Sequence, residues 1–468
     1  MRRLPVCAFA FLMTGCTVQK YQSVPVTPAQ TAAKLESRTL RDAGLKQFIT
    51  AALGRQAAWP PMSVVCDLSA WPPKQCDLRF LTLAAFYFNP GLAVARAQVA
   101  AAKAGIETAK MRPNPVLNFS PGVPSPYLLG LGLVFPIVTA GKRGYEIEAA
   151  KNAGTEAELN LAELAWKVRS QVRSALLNYL LAERNSSLAQ AAERIRKARS
   201  ARLGDELNAG EISRPEWEAA RAALLGAQMT ARAAKGRIAQ MRAALAAAIG
   251  IPVRALDGVQ LGWPDFEDVP PLSALTKHKI QRDAVLNRLD VRRALAGYQA
   301  AQHNLQLEIA RRSPNLQLGP GYQYEEQKSY FTPSISFELP IFNRNQGPIA
   351  QAEARRKQAA ASLMAMQAGV IAQCEQALAQ YRADYEALQT AQAARANFQH
   401  AQVPMAERAL AAGESDWFSL NSVRLQSSAA QKRWVDSVFQ TQAALGRLED
   451  AVQKPLEQED STPMVLPR

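Results

Sequence analysis

The chain has 468 residues, a formal charge of +15, abundant alanine and only three histidines. Its basic residues are spread along helical runs amid acids, as in Glu193, Arg194, Arg196, Lys197 and Arg199, a pattern of solvated helix faces that argues against a nucleic-acid groove. His278, His303 and His400 show no metal-ligand spacing to one another or to cysteines, and no nucleophile motif, phosphate loop or paired-carboxylate signature stands in context; no catalytic residue, cofactor or resident metal is expected.

The N-terminus reads as a targeting segment. Arg2 and Arg3 precede an apolar run that ends Met13-Thr14-Gly15-Cys16. Small residues before a cysteine match a lipoprotein signal-peptidase site, so residues 1–15 are the expected signal and Cys16 the acylated first residue. An ordinary secretory signal is the alternative. After it no run of 18 or more apolar residues occurs, so no transmembrane helix is expected. Residues 16–78 read as a lipid-anchored tether, extended over 17–40, with a short helix at about 41–57 and a Pro-rich loop holding Cys66 and Cys76. In an oxidising compartment those two form a disulfide; two free thiols are the other reading.

Residues 79–250 form a first unit. A helix over about 80–111, containing Asn89-Pro90, leads to strands at about 116–136, where Leu129, Leu131, Leu133 and Phe135 alternate with Gly130, Gly132 and Val134. A long helix follows at about 142–206. Leu161, Ala165, Val168, Val172, Ala175, Tyr179 and Ala182 keep a four-three spacing along it, the mark of a continuous buried stripe. It breaks at a Gly-Glu turn (207–215) and returns as a shorter helix. Residues 251–280, rich in Pro, Gly and Asp, read as an irregular equatorial linker.

Residues 281–452 repeat the plan. Strands at about 315–341 alternate Leu316, Leu318, Pro320, Tyr322 and Tyr324 with polar or small neighbours, then Phe331, Pro333, Ile335, Phe337 and Leu339 with Thr332, Ser334, Ser336 and Glu338. The long helix at about 347–411 carries Leu363, Met366, Val370, Cys374, Leu378, Tyr381, Tyr385 and Leu388. A Gly-Glu turn (411–416) follows, and the return helix carries Trp434, Val438, Thr441, Leu445 and Leu448. Residues 453–468, with three prolines, read as a disordered tail. Pro136 and Pro340 lie 204 residues apart, Gly210 and Gly413 lie 203 apart, and Pro113-Asn114 and Pro314-Asn315 about 200 apart. Three landmarks in one order at one offset are an internal duplication.

Strands of about ten residues, apolar on one face and polar on the other, fit either a half-buried soluble sheet or a membrane barrel. Four strands cannot close in lipid alone, so the second reading requires an oligomer: eight strands from two chains or twelve from three.

These residues carry a resemblance. The order of Asn89-Pro90, Pro-Asn before each hairpin, Phe135-Pro136-Ile137, Leu339-Pro340-Ile341 and two Gly turns resembles TolC-like outer-membrane efflux channels over essentially residues 75–450. The run from Leu339 to Ile349, Leu-Pro-Ile-Phe-Asn-Arg-Asn-Gln-Gly-Pro-Ile, is similar to the heavy-metal (cobalt–zinc–cadmium) branch. The resemblance implies a mainly α fold with a small membrane β portion, duplicated antiparallel helical hairpins and four strands per chain, closing as a homotrimer with a 12-strand barrel and a helical tunnel. It also implies a passive exit duct, lipid-anchored in the outer membrane, working with a periplasmic adaptor and an inner-membrane resistance–nodulation–division (RND) transporter. A drug-efflux channel of the same family and a coiled-coil periplasmic adaptor are the alternatives.

In such a duct Gln317, Gln323, Glu325, Thr332, Ser334, Ser336 and Glu338 are the expected barrel lining. The Gly turns are the expected periplasmic tips, with Gly210 and Gly413 at positive φ. Asp205, Glu206, Glu211, Glu414 and Asp416 cluster there. They read either as acidic rings that favour cations and pair with Arg202 or Arg214, or as ordinary helix-end acids, with Ser213 and Ser415 as N-caps.

Overall fold

The computed structural model describes residues 21–54, 71, 73, 75–122, 128–264 and 266–456. The signal segment, Cys16, Cys66 and the tail beyond 456 lie outside the described residues. Where an extended tether was expected, helix α1 (Pro28–Glu36) forms: Thr27 accepts from the Gln30 N–H at 3.4 Å, Pro28 opens the first turn, and good helix formers follow. None of its residues is buried. Helix α2 (Ala43–Gly54) instead drives Leu45 and Ile49 into the core. Between them Arg38 donates to the carbonyls of Phe88 and Gly250, both at 2.8 Å, and pins this segment onto the body.

Strand β1 (Gln75–Cys76) precedes α3 (Leu78–Phe88) and α4 (Pro90–Lys110). The one helix expected here is two, bent by 55°. Pro90 cannot donate to the preceding turn, and Asn89 caps the new start by accepting from the N–H groups of Gly91 (2.9 Å) and Leu92 (3.4 Å). Strands β2 (Val116–Gly122) and β3 (Leu128–Ile137) lead to α5 (Lys142–Asn208), whose 67 residues span about 100 Å. Helix α6 (Arg214–Ile249) returns alongside it.

The linker packs onto the body. Its strand β4 (Gln260–Leu261) pairs in parallel with β1, and its Trp263 and Phe266 are buried. Helices α7 (Lys277–Asn287) and α8 (Leu289–Ala310) then repeat the break of α3 and α4. Arg288 at that break has φ −60° and ψ 131°, against φ −65° and ψ 120° at Asn89. Strands β5 (Leu316–Gly319), β6 (Gly321–Glu325), β7 (Lys328–Phe331) and β8 (Ser334–Phe337) complete the sheet.

The second long helix is not the uninterrupted run expected over 347–411. It consists of α9 (Gln346–Asn397), a π turn at Phe398–Gln402 and α10 (Val403–Ala411). The cause is Pro404, which lacks the N–H that the His400 carbonyl would otherwise accept, so the ladder slips just before it. Helix α11 (Trp417–Val452) closes the chain.

The four-three stripes are the core. Ala165, Val168, Val172, Tyr179 and Ala182 of α5 are buried, as are Val370, Cys374, Leu378, Tyr381 and Leu388 of α9, and Trp434, Val438, Thr441, Leu445 and Leu448 of α11. One cluster joins α2, α3, α5, the end of α6, the linker and the middle of α11. The other joins α7, α9 and the end of α11. Helix α11 thus serves both, which binds the two repeats into one body.

Candidate functional site: a two-faced sheet standing on helical hairpins

The two hairpins lie side by side in one antiparallel sheet. Strand β3 pairs with β2 on one side and with β5 and β6 on the other, and β7 and β8 form the far edge. The second hairpin was expected as two strands and is drawn as four pieces. Pro320 and Pro333 face each other and neither can donate to the ladder. The register is nevertheless the same on both sides of the break: Tyr322 faces Phe331, Gly321 exchanges two backbone bonds with Thr332 (2.8 and 3.1 Å), and Gly319 faces Ser334. The N–H of Leu133 donates to the Pro320 carbonyl at 3.0 Å and bridges the gap to β3. Glu326 and Gln327 both take positive φ, 47° and 65°, in the two-residue reversal between β6 and β7.

This register sorts the side chains. One face carries Leu117 and Phe119, then Leu129, Leu131, Leu133, Phe135 and Ile137, and beside them Leu318, Tyr322, Phe331, Ile335 and Phe337; all are exposed. The other face carries Asn118, Ser120, Gly130, Gly132, Gln317, Gln323, Glu325, Ser334 and Ser336. Ser334 Oγ donates to the Gly319 carbonyl at 3.1 Å, Ser336 Oγ to Gln317 Oε1 at 3.3 Å, and Gln323 Nε2 to Glu325 Oε2 at 3.2 Å. Val116, Leu128, Val134, Pro136 and Tyr330 are the apolar exceptions on this side. Thr332 shares it, and Glu338 lies one residue past the end of β8. A large exposed apolar face next to a polar one, with both edges unpaired among the described residues, is what a sheet in lipid presents before its neighbours close it.

At the foot of the sheet the repeats interlock. The Lys142 ammonium, at the start of α5, donates to the Ser313 carbonyl (2.5 Å) and to Asn315 Oδ1 (2.7 Å), and Thr139 Oγ1 donates to the Pro314 carbonyl. Asn345, at the start of α9, donates to the Glu308 carbonyl (2.7 Å) and carboxylate (2.8 Å). The Ser313-Pro314-Asn315 landmark is therefore the socket in which α5 is seated, and Glu308 of α8 holds the start of α9.

At the other end both Gly turns have the same form. Gly210 (φ 78°) and Gly413 (φ 75°) are left-handed. Glu211 N–H reaches back to the Glu206 carbonyl and Glu414 N–H to the Ala409 carbonyl, each at 2.9 Å. A Cβ at either glycine would meet nothing within 4 Å, so backbone handedness and not space demands glycine there. Asp205, Glu211, Glu414 and Asp416 are exposed, and Glu206 is half-buried in an ion pair with Arg202 (3.5 Å) along its own helix. Arg214 makes no ion pair to them among the described residues. The N-cap of α11 is Asp416, not Ser415: its carboxylate accepts from the Ser419 N–H at 2.7 Å, and Ser419 holds it below the usual carboxylate range. Ser213 sits at the N-cap of α6 but makes no side-chain capping bond. Cys76 is buried; its expected partner Cys66 is outside the described residues.

Two polar features were missed by reasoning from the sequence. Arg202 lies 5.4 Å above the ring of Trp417 and Arg199 5.9 Å from that of Phe418, which ties the tip of the first repeat to the second. Deeper down, the fully buried Glu449 of α11 accepts from Arg169 at 3.0 Å and lies 3.5 Å from Arg173 of α5. Arg173 also donates to Gln442, whose amide donates to the Phe266 carbonyl at 2.8 Å. Only the i, i+4 arrangement of Arg169 and Arg173 could have hinted at it; Glu449 is 276 residues away. Among the described residues no group of three or more His, Cys, Asp or Glu could hold a metal ion.

Comparison with known proteins agrees with this arrangement. Over 270 residues, 56% of the chain, it is 25% identical to the cobalt-zinc-cadmium resistance protein CzcC of Cupriavidus metallidurans, and it spans 63% of that relative's length. The structure of CusC superposes with a TM-score of 0.63 at 20% identity, covering 80% of this chain and 91% of that one. The outer membrane protein VceC of Vibrio cholerae gives 0.63 at 16% identity over 81% and 97%. Residues 85–251 and 281–452 each match one and the same family description, so the duplicated unit and the match coincide: the chain belongs to the outer membrane efflux protein family.

Proposed function

We propose that the chain is the exit duct of a tripartite efflux pump, passively conducting heavy-metal cations from the periplasm across the outer membrane. The observation that carries this reading is the sheet: exposed leucines and aromatics on one side, amides, hydroxyls and glycines on the other, with two open edges. Three copies would join β2 of one to β7 and β8 of the next and close twelve strands around the polar face. Twelve helices from three sets of hairpins would continue the lumen into the periplasm. Cys16 would anchor each chain by lipid. The turns at Gly210 and Gly413 would face a periplasmic adaptor and an RND transporter, with Asp205, Glu211, Glu414 and Asp416 tripled around the entrance.

Cation export is supported by the similarity to CzcC and by the acidic tips. The duct itself performs no bond chemistry. Deleting the gene and measuring growth inhibition by cobalt, zinc, cadmium, drugs and detergents tests the cargo: sensitivity to metal salts alone is the expected result, and sensitivity to organic compounds alone would overturn the metal assignment. Mass photometry and planar-bilayer conductance of the purified protein test the duct. A monomer without channels would overturn that part.

A further inference from the structure

The feet of the two hairpins differ. Below the first, Thr139 and Lys142 are consumed by the carbonyls of Ser313 and Pro314 and by Asn315. Below the second, the chain leaves β8 through Leu339-Pro340-Ile341-Phe342, bent by a 2.8 Å bond from the Ile341 N–H to the Leu339 carbonyl. Leu339, Ile341 and Phe342 are 63, 64 and 95% exposed. Left in water, such side chains forgo about 1.5–3 kcal/mol each. In the sequence Leu339 and Ile341 continue the alternation that ends with Phe337 on the apolar side of the sheet, and Phe342 follows them past the bend.

Beside them opens a cleft of about 570 Å³, lined by Ile341, Phe342 and Ile349 and by the side chains of Arg312, Arg344 and Gln346. Arg312 comes from the end of α8 and Arg344 from just before α9. The neighbouring Arg311 is paired with Glu308 at 2.7 Å, but among the described residues neither Arg312 nor Arg344 has an ion-pair partner. The one carboxylate at the rim, Glu353, lies about two turns further along α9 from the sheet. Two unpaired guanidiniums beside an apolar ledge, at the level where a membrane-embedded sheet ends, match one kind of ligand. Arginine takes phosphate oxygens in a bidentate fork, and the ledge suits acyl chains.

We propose that this cleft binds an anionic phospholipid of the periplasm-facing leaflet, its phosphate on Arg312 and Arg344 and its chains on Leu339, Ile341 and Phe342. The inference rests on the duct reading, which puts the sheet in the membrane. It gives each copy a fixed height in the bilayer and an affinity for charged lipid that the lumen does not need.

The test is native mass spectrometry of the full-length protein exchanged between phosphatidylcholine vesicles with and without phosphatidylglycerol. Retention of phosphatidylglycerol over phosphatidylcholine is expected, falling about tenfold in the Arg312→Gln/Arg344→Gln variant, with oligomer size and single-channel conductance unchanged. Equal retention of the two lipids by the wild type, or an undiminished preference in the variant, would overturn the proposal. So would displacement of the lipid by inorganic phosphate alone, which would mark a simple anion site, or efficient cross-linking of Phe342→Cys to a neighbouring copy, which would mark a protein contact. Should the double Gln variant fail to assemble, Arg312→Lys/Arg344→Lys replaces it; this variant keeps the charge, loses the fork and is expected to show a weaker preference than the wild type, and an equal one would count against the site. A wild type that neither conducts nor needs detergent would overturn the duct reading instead.

Discussion

Gly141 and Asn345 stand 204 positions apart, the offset of the duplication, and both take left-handed backbone at the N-cap of a long helix, with φ 71° and 61°. One repeat uses glycine and the other asparagine, the two residues that visit this region most cheaply. The junction from strand to helix is therefore a conserved shape within the chain even where its residues differ. Asn345 adds what glycine cannot, the amide that grips Glu308. Asn345→Gly should keep the turn and lose that grip; Asn345→Val should lose both. Limited proteolysis of the junction checks this, with Val cut fastest and Gly between it and the wild type.

The Glu449 cluster should make the fold acid-sensitive. Burial opposes ionisation of this carboxyl, but Arg169 and Arg173 outweigh it and hold its pKa below the ordinary value. A depressed folded-state pKa contributes stability that is complete above the unfolded value, near 4.3, and lost as pH falls through the folded value. Thermal unfolding in detergent should therefore show a drop below about pH 4.3 that Glu449→Gln flattens. At neutral pH Glu449→Ala leaves the buried Arg173 and the largely covered Arg169 without their counter-charge and should cost about 3–5 kcal/mol.

The apolar face of the sheet should reject charge, and the polar face should accept it. Leu131→Arg is expected to cost about 2–4 kcal/mol of membrane stability if it lies near the bilayer centre. Ser120→Arg, on the opposite face, should assemble normally and alter conductance. Heat-resistant oligomer on a gel reads the first and single-channel recording the second.

At the tips, charge and capping can be separated. Asp416→Asn keeps an oxygen that can accept from the Ser419 N–H and removes the charge, and Glu414→Gln removes charge alone. The pair should lower cation selectivity in planar bilayers while amide exchange in the first turn of α11 stays as in the wild type. Asp416→Ala should speed that exchange. Unaltered selectivity in the Asn/Gln pair would leave the acids with only a helix-end role.

Pro404→Ala should restore the missing donor and draw the π turn at Phe398–Gln402 back to α-helical bonding. Slower amide exchange over residues 398–404 is the expected reading.

Periodicity and turn chemistry settle within a few residues, so much could be read from the sequence itself: the duplication, the buried stripes of α5, α9 and α11, the two-faced strands and the left-handed Gly210 and Gly413. Breaks that depend on a single missing N–H were visible as prolines but not as geometry, hence the bend at Pro90, the π turn before Pro404 and the paired gap at Pro320 and Pro333. What only the tertiary structure decided is which distant groups meet. A side chain's partner across hundreds of residues follows from how helices and strands are laid together, and no local pattern encodes it. Glu449 with Arg169 and Arg173, Trp417 under Arg202, Lys142 in the socket of the other repeat, and the two arginines beside Phe342 all belong to that class.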